Sequence, residues 1–368
     1  MSTLKNELID KLNSCSFTWH KFIEEIPDKF FTIERVKNFY QLIDDIEKKR
    51  NIAKSKPINI SIEPTNKCNL ECTLCPTKYS DTTMPRGLMQ IDTFEKSLSL
   101  ISDSVFYIAL QNWGEPLLHK KLPDFLEIAH KNNIYWWFST NASLKINTDT
   151  VTRILSAGYG KIIFDIDGLT NETYQKYRVK GDLNLVLKNV ALFTKIKKEI
   201  NSDVLLEGRM IVNKYNQDEV DNFEDFCLRI GLDKATLHKL QVNNGNIDLL
   251  PDSPEYRYSN YHNKEKFPDV CHRLYSSMAI NWDGRVSACC LTYDESSDFA
   301  VISKNTETFD SIWNNDMFSS ARNVFSMSSS RARDRKETIC ATCRGNLGIS
   351  NTKLKYFRDT FAICIENN

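Results

Sequence analysis

From Ile58 to about Leu240 the chain alternates short apolar, β-branched runs with longer amphipathic ones, and this alternation restricts the fold more than any other feature. The runs Ile58–Glu63, Val105–Gln111, Ile134–Ser139, Lys161–Asp167, Val204–Val212 and Ala235–Gln241 have the length and composition of strands. Between them, Asp92–Ile101, Leu122–Lys131, Asp149–Ala157, Asn184–Lys198 and Asp218–Ile230 repeat apolar residues at helical spacing. Repeated strand–helix units predict an α/β fold, a parallel sheet with right-handed crossovers. The six units predicted here are too few to close an eight-stranded barrel.

Such folds collect their chemistry in loops at the carboxyl ends of strands. The first of these loops contains Cys68, Cys72 and Cys75, three thiols within eight residues. Thiolates are soft ligands suited to zinc, copper(I) or iron–sulfur clusters, and three of them can hold a cubane while leaving its fourth iron without a protein ligand. A zinc site is the competing reading, because cysteines two residues apart are common there. The chain has 11 cysteines, an odd number that fits disulfide pairing poorly. It has no apolar run near the roughly 20 residues a membrane span needs, and its N-terminus is polar, so a soluble cytoplasmic protein is expected. Lysine plus arginine (48) balance aspartate plus glutamate (48), which gives no signal for nucleic acid or an anionic membrane.

The spacing Cys68-x3-Cys72-x2-Cys75 resembles the signature of the radical SAM superfamily, with Leu74 where that family usually has an aromatic residue. The resemblance implies an open (β/α)6 partial TIM barrel. It also implies a [4Fe–4S] cluster on the three cysteines and S-adenosylmethionine on the free iron. Gln111-Asn112-Trp113-Gly114-Glu115-Pro116 is similar to the family's Gly-Glu-Pro motif, in which Gly114 and Glu115 would receive the cofactor's amino group. Asn141, in Ser139-Thr140-Asn141-Ala142, matches the segment beside the cofactor. Asp165, in Asp165-Ile166-Asp167-Gly168, replaces a usual serine near the ribose, and Arg178 matches an arginine that approaches the cofactor carboxylate. Without the family, these segments read as a turn, a capping loop and a solvated arginine.

Beyond Gln241 the periodicity breaks, and Asn243-Asn244-Gly245-Asn246 with Pro251, Pro254 and Pro268 reads as a linker. Met278–Ala288, with Trp282-Asp283-Gly284 at its centre, predicts a β-hairpin. Cys271, Cys289, Cys340 and Cys343 surround it, an arrangement similar to the SPASM/twitch auxiliary-cluster region of radical SAM enzymes. Phe309–Asn314 followed by Arg322 resembles the linking helix of that region. Cys290 competes with Cys289 as ligand, and a zinc knuckle is the alternative for the whole set. Ile349 stands where a further cysteine would fall and only Cys364 follows, so the resemblance implies one auxiliary [4Fe–4S] cluster, as in the 2-deoxy-scyllo-inosamine dehydrogenase type.

The domains expected are a helical extension over residues 1–55, the partial barrel over 56–242, a linker over 243–270 and the auxiliary-cluster domain over 271–368. In the extension, Phe30 to Ile46 repeat at helical spacing. The segment reads as peripheral, with Asp44–Arg50 as a solvated charged end.

The resemblance implies a 5′-deoxyadenosyl radical that removes hydrogen from substrate, with electrons from a flavodoxin or ferredoxin-type reductant. A polyol, cyclitol or sugar, oxidised with the auxiliary cluster as electron acceptor, is the expected substrate. The alternative is a precursor peptide that receives a thioether, a carbon–carbon crosslink or an inverted centre. For inversion, Cys227, Cys290 or Cys364 would serve as hydrogen donor. A non-catalytic zinc-binding interaction protein is the reading from another class. No catalytic acid or base is assigned, and His119 and His272 are given no role.

Overall fold

Alternation along each strand separates two faces of the sheet. In the computed structural model, which describes residues 5, 6, 8, 25–79, 85–240, 247–257, 270–290, 292, 297–303, 305, 306, 308–325 and 336–343, a helix α1 (Ile33–Glu47) precedes strand β1 (Asn59–Ile62). After β1 come α2 (Pro76–Tyr79), α3 (Ile91–Ile101), β2 (Tyr107–Ala109), α4 (Leu122–Lys131), β3 (Tyr135–Thr140), α5 (Thr148–Ser156) and β4 (Gly160–Asp165). Then follow α6 (Asn171–Tyr177), α7 (Leu183–Ile200), β5 (Leu205–Val212), α8 (Phe223–Arg229) and β6 (Lys234–Lys239). Each of β1 to β5 pairs in parallel with the next, as the alternation predicted.

One face of this sheet carries Ile60, Ile62, Ile108, Trp136, Phe138, Ile162, Phe164, Leu206 and Met210, each shielded almost completely. It packs against the helices: Phe164 meets Phe193 of α7 edge-on at 5.3 Å, and Trp136 Nε1 donates to the Ala157 carbonyl at the end of α5. Each large ring on this face buries more apolar area than an aliphatic side chain beside it. The opposite, inner face is different in kind. Register aligns Asp165 with Arg209 and Thr236, and Ile163 with Glu207 and Lys234, so charged groups line its centre.

The N-terminal segment is not peripheral. Arg35 of α1 is buried and donates to the carbonyls of Phe30, Ser102 and Asn133, which staples α1 to the ends of α3 and α4. The stretch expected to be a solvated charged end contains Asp45, fully buried. Its Oδ2 accepts the backbone N–H groups of Lys54 and Ser55 and the Ser55 hydroxyl, all at 2.7–2.8 Å. Charge runs are solvated by default, but here the Lys54 and Ser55 N–H groups of the turn after α1 take the Asp45 carboxylate as their acceptor.

The C-terminal hairpin does not stand apart from the barrel. After α9 (Arg273–Ser276), β7 (Ser277–Ile280) joins the free edge of β1 in parallel; β8 (Arg285–Ser287) and β9 (Asp298–Val301) extend the sheet antiparallel. The described strands form one nine-stranded sheet in the order β6-β5-β4-β3-β2-β1-β7-β8-β9. The helices α10 (Asp310–Trp313), α11 (Asp316–Asn323) and α12 (Ile339–Cys343) complete the described chain. Arg322 of α11 is buried 4.5 Å from the Trp313 ring and donates to the carbonyls of Leu274 and Trp313, which ties these helices to the segment after Cys271. The expected linker is partly packed: Leu249 and Leu250 are buried with Leu74 and Tyr177, while Asn243 to Asn246 and Pro268 lie outside the described residues. Among the described residues no helix is long and apolar enough to cross a membrane.

Candidate functional site

The cysteine loop leaves β1 and is held from below by two backbone bonds, Glu71 N–H to the Val179 carbonyl and Thr73 N–H to the Tyr177 carbonyl. Those bonds bring Arg178, at the end of α6, against the thiols. Cys68, Cys72 and Cys75 are free, and donors point at their sulfurs. Leu70 N–H lies 3.5 Å and Asn141 Nδ2 3.9 Å from Cys68 Sγ; Arg178 Nη1 lies 3.7 Å from Cys72 Sγ. Burial pushes the Cys68 thiol up to about 12 and the Cys72 thiol up to about 11. Without a metal these groups stay protonated; a soft metal centre would take them as thiolates and the donors would then stabilise the sulfur charge. Among the described residues no three His, Cys, Asp or Glu side chains gather at a single-ion position, so the fit rests on the thiol set and its donors.

Glu115 stands beside this loop. Gly114 lets the two approach, since a Cβ at position 114 would lie 1.9 Å from the Thr65 carbonyl oxygen, and Glu115 N–H donates to the Lys67 carbonyl. The Glu115 carboxylate accepts from Thr140 Oγ1 at 2.7 Å, Leu117 N–H at 3.0 Å and Asn141 N–H at 2.8 Å. Burial nevertheless raises its pKa to about 7, more than those bonds lower it. A cationic group placed there would restore the charge. The structure therefore brings Gly114, Glu115 and Asn141 together around Cys68, and His119, bonded to the Met89 carbonyl and Lys121 N–H, ties the segment after that turn to the residues before α3.

Asp165 and Arg178 also meet at this edge, with Nη2 of Arg178 3.3 Å from Asp165 Oδ2. Arg178 Nε binds Asp167 Oδ2 at 2.5 Å, and Asp167 Oδ1 accepts Ile211 N–H. Arg209 binds the other oxygen of Asp165. Burial alone would lower the Arg178 pKa, but Asp167 and Asp165 drive it upward, so the guanidinium is charged.

Sequence reasoning passed over Asp167, Glu207, Arg209, Lys161 and Glu63. The inner face carries Glu207, which accepts from Thr236 Oγ1 at 2.6 Å and pairs with Lys161 at 3.4 Å. Period-two alternation in the predicted strands contained this signal, because polar residues spaced by two inside an apolar run share one face. Glu63 is buried at the end of β1, accepts Trp113 N–H at 3.0 Å, and is raised to about 7 by burial.

Of the second cysteine set, Cys271 and Cys340 are buried, and Cys290 Sγ lies 3.4 Å from Arg273 Nη1. The Cys289 carbonyl accepts Thr292 N–H, and the Thr292 carbonyl accepts from Trp113 Nε1 at 3.2 Å, so the turn after the hairpin touches the segment that holds Gly114 and Glu115. The Cys343 side chain, Ile349 and Cys364 lie outside the described residues.

The radical SAM superfamily model matches residues 62–227, and the model of SPASM, an iron–sulfur cluster-binding domain, matches residues 271–344. Fe-coproporphyrin III synthase of Methanosarcina barkeri is 27% identical over 130 residues, 34% of this chain and 31% of that protein. A probable GTP 3′,8-cyclase of Methanocaldococcus jannaschii is 26% identical over 177 residues, 47% of this chain and 56% of that protein. The chain thus spans about a third to a half of these curated relatives. Streptococcus suis SuiB bound to S-adenosylmethionine superposes with a TM-score of 0.59 at 15% identity, covering 87% of this chain and 76% of SuiB, a likeness of fold.

Proposed function

We propose that this chain, which belongs to the radical SAM superfamily and carries a SPASM domain, oxidises a polyol, cyclitol or sugar by hydrogen abstraction. When bound, S-adenosylmethionine and a [4Fe–4S] cluster on Cys68, Cys72 and Cys75 supply the hydrogen-abstracting radical, and an auxiliary cluster on Cys271, Cys340, Cys343 and either Cys289 or Cys290 supplies an electron acceptor. Gly114, Glu115 and Asn141 would hold the amino end of the cofactor, with Glu115 as the anionic acceptor for its ammonium. Asp165 and Arg178 would border its other side.

The observation that carries the substrate reading is the charged inner face of the sheet. Lys161, Asp165, Glu207, Arg209 and Thr236 offer donors and acceptors of both signs there. They pair with one another, and substrate hydroxyls can replace the water on their remaining donors and acceptors, which an apolar substrate cannot. A precursor peptide is the second reading. Its support is β6, an edge strand with Leu237 exposed, to which an extended chain could add by main-chain bonds.

The test is anaerobic incubation of the reconstituted, reduced protein with a polyol panel and, separately, with peptides encoded beside it. Loss of two hydrogens from a polyol with matching 5′-deoxyadenosine supports the first reading. One deuterium gained by a peptide in heavy water supports the second. Uptake of two zinc ions without sulfide rejects both.

A further inference from the structure

Four charged side chains form a continuous row from the inner face of the sheet to the cysteine loop. Arg209 sends Nε and Nη2 to Asp165 Oδ1 at 2.7 and 2.6 Å. Asp165 Oδ2 lies 3.3 Å from Arg178 Nη2, Arg178 Nε binds Asp167 at 2.5 Å, and Arg178 Nη1 ends the row 3.7 Å from Cys72 Sγ. All four are largely removed from water, so their fields are weakly screened. Two positive and two negative charges cancel, yet they are ordered so that a cation faces the sulfur.

A cation or hydrogen-bond donor at a ligating sulfur favours the more negative, reduced form of a cluster. An arginine is suited to this, because its planar fork binds two carboxylates and still presents a third nitrogen in a fixed direction. We propose that Arg178 sets the reduction potential of the cluster held by Cys68, Cys72 and Cys75, that Asp167 fixes the aim of that guanidinium through Nε, and that Asp165 is the positioning residue that sets its net charge from the Nη2 side. Arg209 acts on the cluster at one further remove, by neutralising Asp165. The proposal rests on the cluster reading above and not on the identity of the substrate.

The experiment is a potentiometric titration of the reconstituted full chain followed by electron paramagnetic resonance, without S-adenosylmethionine or substrate. The relevant signal is the one that changes when S-adenosylmethionine is added in a parallel sample. Arg178→Gln removes the positive charge and is expected to lower the potential by at least a tenfold change in the oxidised-to-reduced ratio, about 59 mV for one electron. Arg178→Lys keeps the charge and should lower it less. Asp165→Asn removes a negative charge and should raise it, whereas Arg209→Gln, which touches no sulfur, should lower it by a smaller step. A purely structural role predicts no ordered signs. Variants with wild-type iron and sulfide content and wild-type potentials overturn the proposal while leaving the functional reading intact. A wild-type chain that assembles no cluster on the three cysteines overturns both.

Discussion

The Glu115 carboxylate accepts the backbone N–H of Asn141 at 2.8 Å, so the loops after β2 and β3 are joined by an acid that is buried and ready to meet a cation. On the proposed role of Glu115 as acceptor for the cofactor's amino end, its pKa, raised to about 7 by burial, makes binding depend on pH. Affinity of the cluster-loaded protein for S-adenosylmethionine is expected to tighten from pH 6 to pH 8, as the bound ammonium no longer has to displace a proton. Glu115→Gln should flatten that dependence and weaken binding about 10- to 100-fold, the equivalent of one charged hydrogen bond. Equilibrium binding at several pH values checks both outcomes.

The same burial has a consequence for stability, with a definite sign. Glu63 and Glu115 are raised from 4.5 to about 7 in the fold. Between those values the folded protein holds protons that the unfolded chain releases, so stability falls as pH rises from about 4.5 to 7 and levels off above. Each group contributes on the order of 1–3 kcal/mol to that fall. Denaturant unfolding of the metal-free protein should show a shallower decline in Glu63→Gln and in Glu115→Gln, and the steepest decline in the wild type.

Gly114 is needed for space. An added methyl would collide with the Thr65 carbonyl, which is backbone and has no rotamer to move into. Gly114→Ala is expected to cost about 1–3 kcal/mol and to lower the melting temperature by several degrees. Iron content of the reconstituted variant should fall with it, because Thr65 leads directly into the cysteine loop.

Asp45 is a structural acid whose loss should be severe. Asp45→Ala would leave the Lys54 and Ser55 N–H groups without their acceptor and Arg50 with Asp44 alone, at a cost of about 3 kcal/mol or more. Asp45→Asn keeps one acceptor oxygen and should lose less. Thermal unfolding of the two variants distinguishes the charge from the hydrogen bonds.

Much of the candidate site was legible because its signals are local. The spacing of Cys68, Cys72 and Cys75 and the Gly114-Glu115-Pro116 turn are contiguous, and each follows a strand that alternation marks clearly. Asp45 is the converse case. A charge at the end of a helical run looks solvated until the N–H groups it satisfies arrive from residues 9 and 10 positions further along the chain.

The amino-acid sequence by itself determined the succession of parallel strands, the three-thiol loop after the first of them and the hairpin between Cys271 and Cys289, since each follows from period, spacing or turn chemistry over a short stretch. Tertiary structure alone decided that β7 joins β1, so that the second cysteine region and the first share one sheet. It also decided where Arg178 points. Its partners Cys72, Asp165 and Asp167 lie on different segments, and only the folded backbone brings their charges within reach of one guanidinium.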